Sequence, residues 1–173
     1  QDWHGRIGRA LRSRRIAAFG PVSGSMATIL ILVGTESGNA QMVADALQPV
    51  LASAGHAVDV TDKAATAADL QAHDVLLAVC ATHGSGDIPT NILPLVEALQ
   101  RDKPDLSGHR YGVIALGDMT YQDTFCGGGK KVDQALELCG AKRVGDRLEI
   151  DASEQPLPDE EALTWIEGWK TQV

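Results

Sequence analysis

Three short stretches of the chain hold the residue types best suited to chemistry: GTESGNA (Gly34 to Ala40), ATHGSGD (Ala81 to Asp87) and LGDMTYQDTFC (Leu116 to Cys126). The first places hydroxyls at Thr35 and Ser37 and an amide at Asn39, with Gly38 where a helix is expected to begin. That combination suits a phosphate, because backbone N–H groups and a helix N-terminus supply the positive field while short polar side chains complete the shell. No Lys or Arg lies in this loop, so an anion would be held by dipoles. On this loop alone, an ordinary strand-to-helix turn with a good cap accounts for the same residues.

The other two stretches each present one flat side chain, His83 and Tyr121. Either one alone reads as a loop cap or the cover of a core edge. Two of them on neighbouring loops above a phosphate-binding turn could hold a planar heterocycle, since ring stacking contributes about 0.5–1.5 kcal/mol beyond area burial. Gly84 and Gly86 would let backbone approach such a ring where a side chain would collide. Other nucleotide patterns fail in detail. GGGKK has Thr124 where a Walker loop needs its first glycine and Lys131 where it needs a hydroxyl. GSGDIP lacks the third glycine of a dinucleotide fingerprint.

The elements that must position these loops follow from periodicity. TILILV (Thr28 to Val33), AVDVT, DVLLAVCA (Asp74 to Ala81), RYGVIALG (Arg110 to Gly117) and RVGDRLEID read as five strands. Several are apolar on both faces, as in a parallel sheet covered on both sides. Between them, AQMVADALQPVLASAG, a short AADLQAH, NILPLVEALQRD, Lys130 to Leu138 and DEEALTWIEGWK read as helices. The first should stop near Gly55, a natural left-handed terminator, and bend or weaken at Pro49. Strands alternating with helices predict a doubly wound α/β sandwich with helices on both faces. Ligands collect at the carboxyl ends of such strands, where all three loops lie.

Composition bounds the rest. At 173 residues, with 44% hydrophobic and 22% charged residues, the chain is expected to be one soluble domain, and it contains no apolar run of membrane-spanning length. Cys80, Cys126 and Cys139 are odd in number and show no metal-ligand or disulfide spacing, which fits a reducing cytoplasm. No metal site is expected. The formal net charge is -8. Residues 1–25 hold five arginines and one acid, leaving 10 basic and 22 acidic residues, net -12, from Met26 onward. That acidic body argues against nucleic acid and anionic membranes and favours basic partners. Residues 1–25 are expected to be a basic N-terminal extension outside the fold. An Arg-rich presequence and a basic docking arm are the other readings. The domain itself is placed at 26–173.

Taken together, the three loops resemble those of the flavodoxin family, within it the short-chain MioC type. Thr35, Ser37, Gly38 and Ala40 match the family's phosphate loop; Thr82, His83, Gly84 and Gly86 match its T-aromatic-G-x-G element; Gly117, Tyr121, Phe125 and Cys126 match its third loop. The resemblance runs from Met26 to about Trp169 and implies a flavodoxin-like five-stranded parallel sheet of order 2-1-3-4-5. It also implies non-covalent FMN and single-electron traffic without a substrate of the protein's own. The implied site comprises Thr35, Glu36, Ser37, Gly38, Asn39 and Ala40 at the phosphate, then Thr82, His83, Gly84, Ser85 and Gly86, and Leu116, Gly117, Asp118, Tyr121, Phe125 and Cys126 around the ring. His83 departs from the Trp or Tyr that many flavodoxins carry there. The implied partners are a basic-surfaced flavodoxin or ferredoxin reductase and an electron-accepting enzyme, biosynthetic and biotin-synthase-like. An FMN-dependent quinone reductase on the same fold is the alternative. A phosphorylated signalling receiver is disfavoured, because the ends of strands one and three carry GTESG and ATHGSG in place of its acids.

Overall fold

In the computed structural model, residues 26–63 and 65–173 are described. The expected extension at 1–25 lies outside them. Seven consecutive residues of β1 (Thr28–Gly34) start the sheet, followed by α1 (Asn39–Ser53), β2 (Ala57–Thr61), α2 (Ala67–Gln71), β3 (Val75–Cys80), α3 (Leu93–Asp102) and β4 (Arg110–Gly117). A 3-10 turn over Met119–Thr124 leads to α4 (Gly127–Leu138), then to β5 (Lys142–Arg143), β6 (Leu148–Asp151) and α5 (Pro158–Trp169).

The sheet is parallel throughout with order β2-β1-β3-β4-β5, as the family resemblance implied. Its central strands are buried on both faces, which is why their sequences show no alternation. The pleat nevertheless divides them. Ile29, Ile31 and Val33 join α1 and α5 in one core, while Leu30 and Leu32 join α2, α3 and α4 in the other. Val43, Leu47 and Leu51 anchor α1, each fully buried, and each contributes roughly 1.5–3 kcal/mol. Ala54 closes α1, and Gly55 follows it in the left-handed conformation. The helix runs unbroken through Pro49.

Two expectations need correction. The fifth strand is not continuous: β5 and β6 both pair with β4, and the chain between them leaves the sheet. Three steps along β4, from Tyr111 to Ile114, are matched by five on the partner, from Arg143 to Leu148, so two residues are extruded there. The cause is a buried carboxylate. Asp133 on α4 is 3% exposed and accepts from Arg143 Nη1 at 2.7 Å, Arg147 Nη1 at 2.6 Å and Tyr111 Oη at 2.6 Å. Both arginines flanking the extruded stretch are drawn to it, and Gly145 takes a φ of +70° to let the chain turn.

The other correction concerns α4, which begins at Gly127 and not at Lys130. Glycines at a helix start argue against helix by propensity. Here space overrides propensity: a Cβ on Gly128 would be driven into the Ala81 carbonyl, and one on Gly129 into the Ala115 side chain.

Candidate cofactor site

The loops after β1, β3 and β4 meet at the carboxyl edge of the sheet around a cleft of about 460 Å³. Its floor and near walls come from Ser37 and Asn39, from Ala81, Thr82 and Gly84, and from Leu116, Gly117, Asp118 and Tyr121. Eight of the residues implied by the sequence are therefore brought to one cavity.

At the α1 end, Gly38 caps the helix with φ +91° and supplies no side chain. The first intrahelical bond runs from Met42 N to Gly38 O, so the backbone N–H groups of Asn39, Ala40 and Gln41 have no acceptor among the described residues. Orphan donors at a helix start are the usual seat of an anion. The side chains of Ser37 and Asn39 line the cleft beside them. Thr35 is used differently: its Oγ1 accepts from Gly38 N at 2.9 Å and shapes the turn.

This turn is held from outside by a residue the sequence reading did not single out. Asn91 Oδ1 accepts from Thr35 N at 3.0 Å, while its Nδ2 donates to Val33 O at 2.7 Å and Asp62 O at 2.9 Å. Glu36 turns away from the cleft. One of its oxygens accepts from Thr90 N at 3.0 Å and Thr90 Oγ1 at 2.9 Å, and the other lies 2.6 Å from His83 Nδ1. The Thr90 backbone N–H is the largest influence and, with lesser help from the Thr90 hydroxyl and His83, holds this carboxyl below the usual range against desolvation. His83 is thus placed at the rim against Glu36.

The second loop is a tight turn closed by reciprocal bonds, His83 N to Asp87 O at 2.8 Å and Asp87 N to His83 O at 2.7 Å. Gly84 and Gly86 occupy φ +50° and +86° inside it, a region that glycine enters without strain. Thr82 ties this loop to the third, donating from Oγ1 to Leu116 O at 2.8 Å and accepting from Gly128 N at 3.3 Å. Ser85 faces a second cleft, lined also by Thr120 to Thr124. Tyr121 and Gly84 stand between the two.

Of the remaining implied residues, Ala40 is buried under α1, Gly86 abuts Thr124 and Gly127, and Phe125 and Cys126 lie beneath the third loop. None of these four lines the cleft. Cys126 Sγ points to Ala115 O, 3.4 Å away, and burial pushes its thiol up to about 12. Cys80 is likewise pushed to about 12 by burial, and Cys139 is raised for the same reason.

One wall was missed altogether. Ile150, Ala152, Gln155, Pro156 and Pro158 close the far side of the cleft. The rule that sites form at strand carboxyl ends applies to β6 as much as to the other strands, so the position of this loop was the available signal. Asp151 locks the wall to the third loop: its Oδ1 accepts from Met119 N at 2.9 Å, Ser153 N at 3.0 Å and Ser153 Oγ at 2.7 Å. The Met119 N–H is the largest influence holding the Asp151 carboxyl below its ordinary range. Met42 also lines the cleft, exposed on the outer side of α1.

A parallel sheet of order 2-1-3-4-5, with helix N-terminal donors beyond its first strand and glycine turns beyond its third, defines the doubly wound class, in which ligands are bound at the switch in strand order. The family model for flavodoxin matches residues 31–165, and the chain belongs to the flavodoxin family, as a short-chain, MioC-type member. It is 40% identical over 144 residues to Protein MioC of Escherichia coli (strain K12), covering 83% of this chain and 97% of that one. It is 42% identical over 147 residues to Flavodoxin YqcA of the same strain, covering 84% and 98%. Among solved structures, a cysteine-to-alanine mutant of flavodoxin from Pseudomonas aeruginosa superposes with a TM-score of 0.76 at 34% identity, covering 83% of this chain and 96% of that one. The cofactor is FMN, and the protein is an electron carrier in place of an enzyme with its own substrate. No helix among the described residues is long and apolar enough to cross a membrane.

Proposed function

We propose that FMN lies along the 460 Å³ cleft, its phosphate at the turn Thr35 to Ala40 and its ring between the second and third loops. The observation that carries this reading is the uncapped start of α1, where three backbone N–H groups and the side chains of Ser37 and Asn39 have no hydrogen-bond partner among the described residues. FMN supplies one-electron redox chemistry when bound. The chain's own contribution is to hold the phosphate by dipoles, to bring backbone at Gly84 and Gly117 to the polar edge of the ring, and to cover one ring face with Tyr121.

Electrons would enter from a reductase with a basic surface and leave to an acceptor enzyme, in the cytoplasm. The net charge of -12 from Met26 onward supports a basic partner. A biosynthetic acceptor of the biotin-synthase kind rests on the MioC-type resemblance alone. The test of the site is ligand discrimination. With each lost hydrogen bond to a charged group costing about 1.5–3 kcal/mol, FMN should bind at least about tenfold more tightly than riboflavin. Equal affinities would remove the phosphate assignment.

A further inference from the structure

The phosphate turn contains an electrostatic contradiction. Glu36 sits between Thr35 and Ser37 in a loop without Lys or Arg, and its carboxylate is a fixed negative charge where an anion is to be held. Two bonds from Thr90 occupy one oxygen and keep the group ionised. The other oxygen meets His83 Nδ1 at 2.6 Å, across from the second loop. Among the described residues, no Lys or Arg forms an ion pair with Glu36.

We infer that His83 serves the phosphate end of the cofactor site and not its ring end: its Nδ1 contact holds the Glu36 carboxylate turned away from the cleft, so that this loop still prefers a phosphorylated flavin. The inference rests on the reading of Thr35 to Ala40 as the phosphate turn. Three observations carry it. The imidazole is drawn toward Glu36 and is absent from the lining of the cleft, whereas Tyr121 is part of that lining. The backbone of His83 is locked by the bridge to Asp87, so the ring cannot leave Glu36 without a rotamer change. Finally, a carboxylate left unpaired beside a bound phosphate would oppose it directly, as like charges a few ångströms apart do. Because His83 is 46% and Glu36 34% exposed, solvent screens the pair and the effect is moderate.

A stacking residue and a hydrogen-bond partner of Glu36 respond oppositely to two substitutions. His83→Phe keeps a flat ring without an N–H donor; His83→Lys supplies N–H donors without a ring. Affinities for FMN and riboflavin, measured by quenching of flavin fluorescence on the full chain, should separate them. We expect His83→Phe to lower FMN affinity about three- to tenfold with riboflavin changed less than about twofold, and His83→Lys to preserve the FMN-to-riboflavin ratio. In the double variant, Glu36→Gln should return the FMN affinity of His83→Phe to near the parent value, because Gln keeps an acceptor for Thr90 and removes the charge. Equal weakening of both ligands in His83→Lys with neither changed in His83→Phe would show a ring contact and overturn the inference. An unaltered ratio in every variant would overturn it as well. A parent protein that does not discriminate between FMN and riboflavin would instead defeat the underlying phosphate assignment, a result separable from the variant series.

Discussion

The two ends of the cleft are built on opposite principles. At the proposed phosphate end, the turn is built by the chain's own bonds: Thr35 folds back on Gly38, Asn91 clamps the turn to β1 and to the β2 end, and the groups left over are N–H donors without an acceptor among the described residues. At the proposed ring end, Tyr121 is 67% exposed and sits at a non-helical kink within a 3-10 turn whose residues are not buried. That turn is tied down mainly at its first residues, through Asp151 and the Asp118 cap. A charge needs donors whose orientation is settled in advance, because reorganising dipoles costs what binding gains. A planar ring needs faces that can close over it after it enters. The difference teaches which substitutions should harm the empty protein and which only the loaded one.

The largest effect is expected at Asn91. Asn91→Ala removes three hydrogen bonds and leaves the carbonyls of Val33 and Asp62 without that partner, so stability should fall by about 2–3 kcal/mol and FMN affinity with it. Chemical denaturation of the flavin-free protein checks the first part. Loss of FMN affinity with unchanged stability would mean that the turn is not prebuilt.

Tyr121→Ala should do the reverse. An exposed side chain contributes within about 0.5 kcal/mol to the empty protein, so denaturation should be unaltered while FMN binds more weakly. Removing an electron-rich phenol and admitting water should also raise the potential of the second reduction step, since both changes favour the negatively charged reduced ring. Tyr121→Phe should shift it much less. A redox titration beside the affinity measurement decides this, and parent values for both in Tyr121→Ala would make Tyr121 structural.

A smaller effect, confined to acid, is expected at Asp151. Its carboxyl is depressed in the folded state, chiefly by Met119 N–H, so its stabilisation is present above the unfolded carboxyl value and is lost as pH falls through the lower folded one. Parent and Asp151→Asn should therefore differ in stability at neutral pH and converge below about pH 4, the ordinary range for aspartate. A difference that persists at the same size to low pH would show that the third loop is not held by this ionised group.

How far the sequence could be read depended on whether the cause of a feature was local. β4 falls where its apolar run places it, and β1 and β3 within a residue, because burial on both faces is written in each run itself; β2, a part-exposed edge strand, falls where AVDVT places it. The helix start at Gly38 was legible as well, from the glycine and short polar residues of the loop itself. Asn91 was not, since its three partners lie 29 to 58 residues away and nothing in its neighbours reports them. The broken fifth strand has a cause of this second kind: Asp133 captures arginines 10 and 14 residues later, and the RVGDRLEID run shows only the arginines. The glycine start of α4 reads as helix-breaking until β3 and β4 are known to press on it. His83 and Tyr121 looked alike as flat side chains on adjacent loops. The contact with Glu36 and the lining of the cleft distinguish them, and both are relations between separate crossovers.

All three cysteines are buried, and two of their thiols are pushed up to about 12, so at neutral pH the nucleophilic anion is scarce as well as shielded. Cys80 lies at the carboxyl end of β3, Cys126 at the root of α4, and Cys139 just past its end. A small alkylating reagent would thus act as a clock for opening of the molecule. Because Cys80 and Cys126 both lie against Ala115 while Cys139 lies at the far end of α4, the order in which they become modified would show whether the two ends of that helix open together or separately.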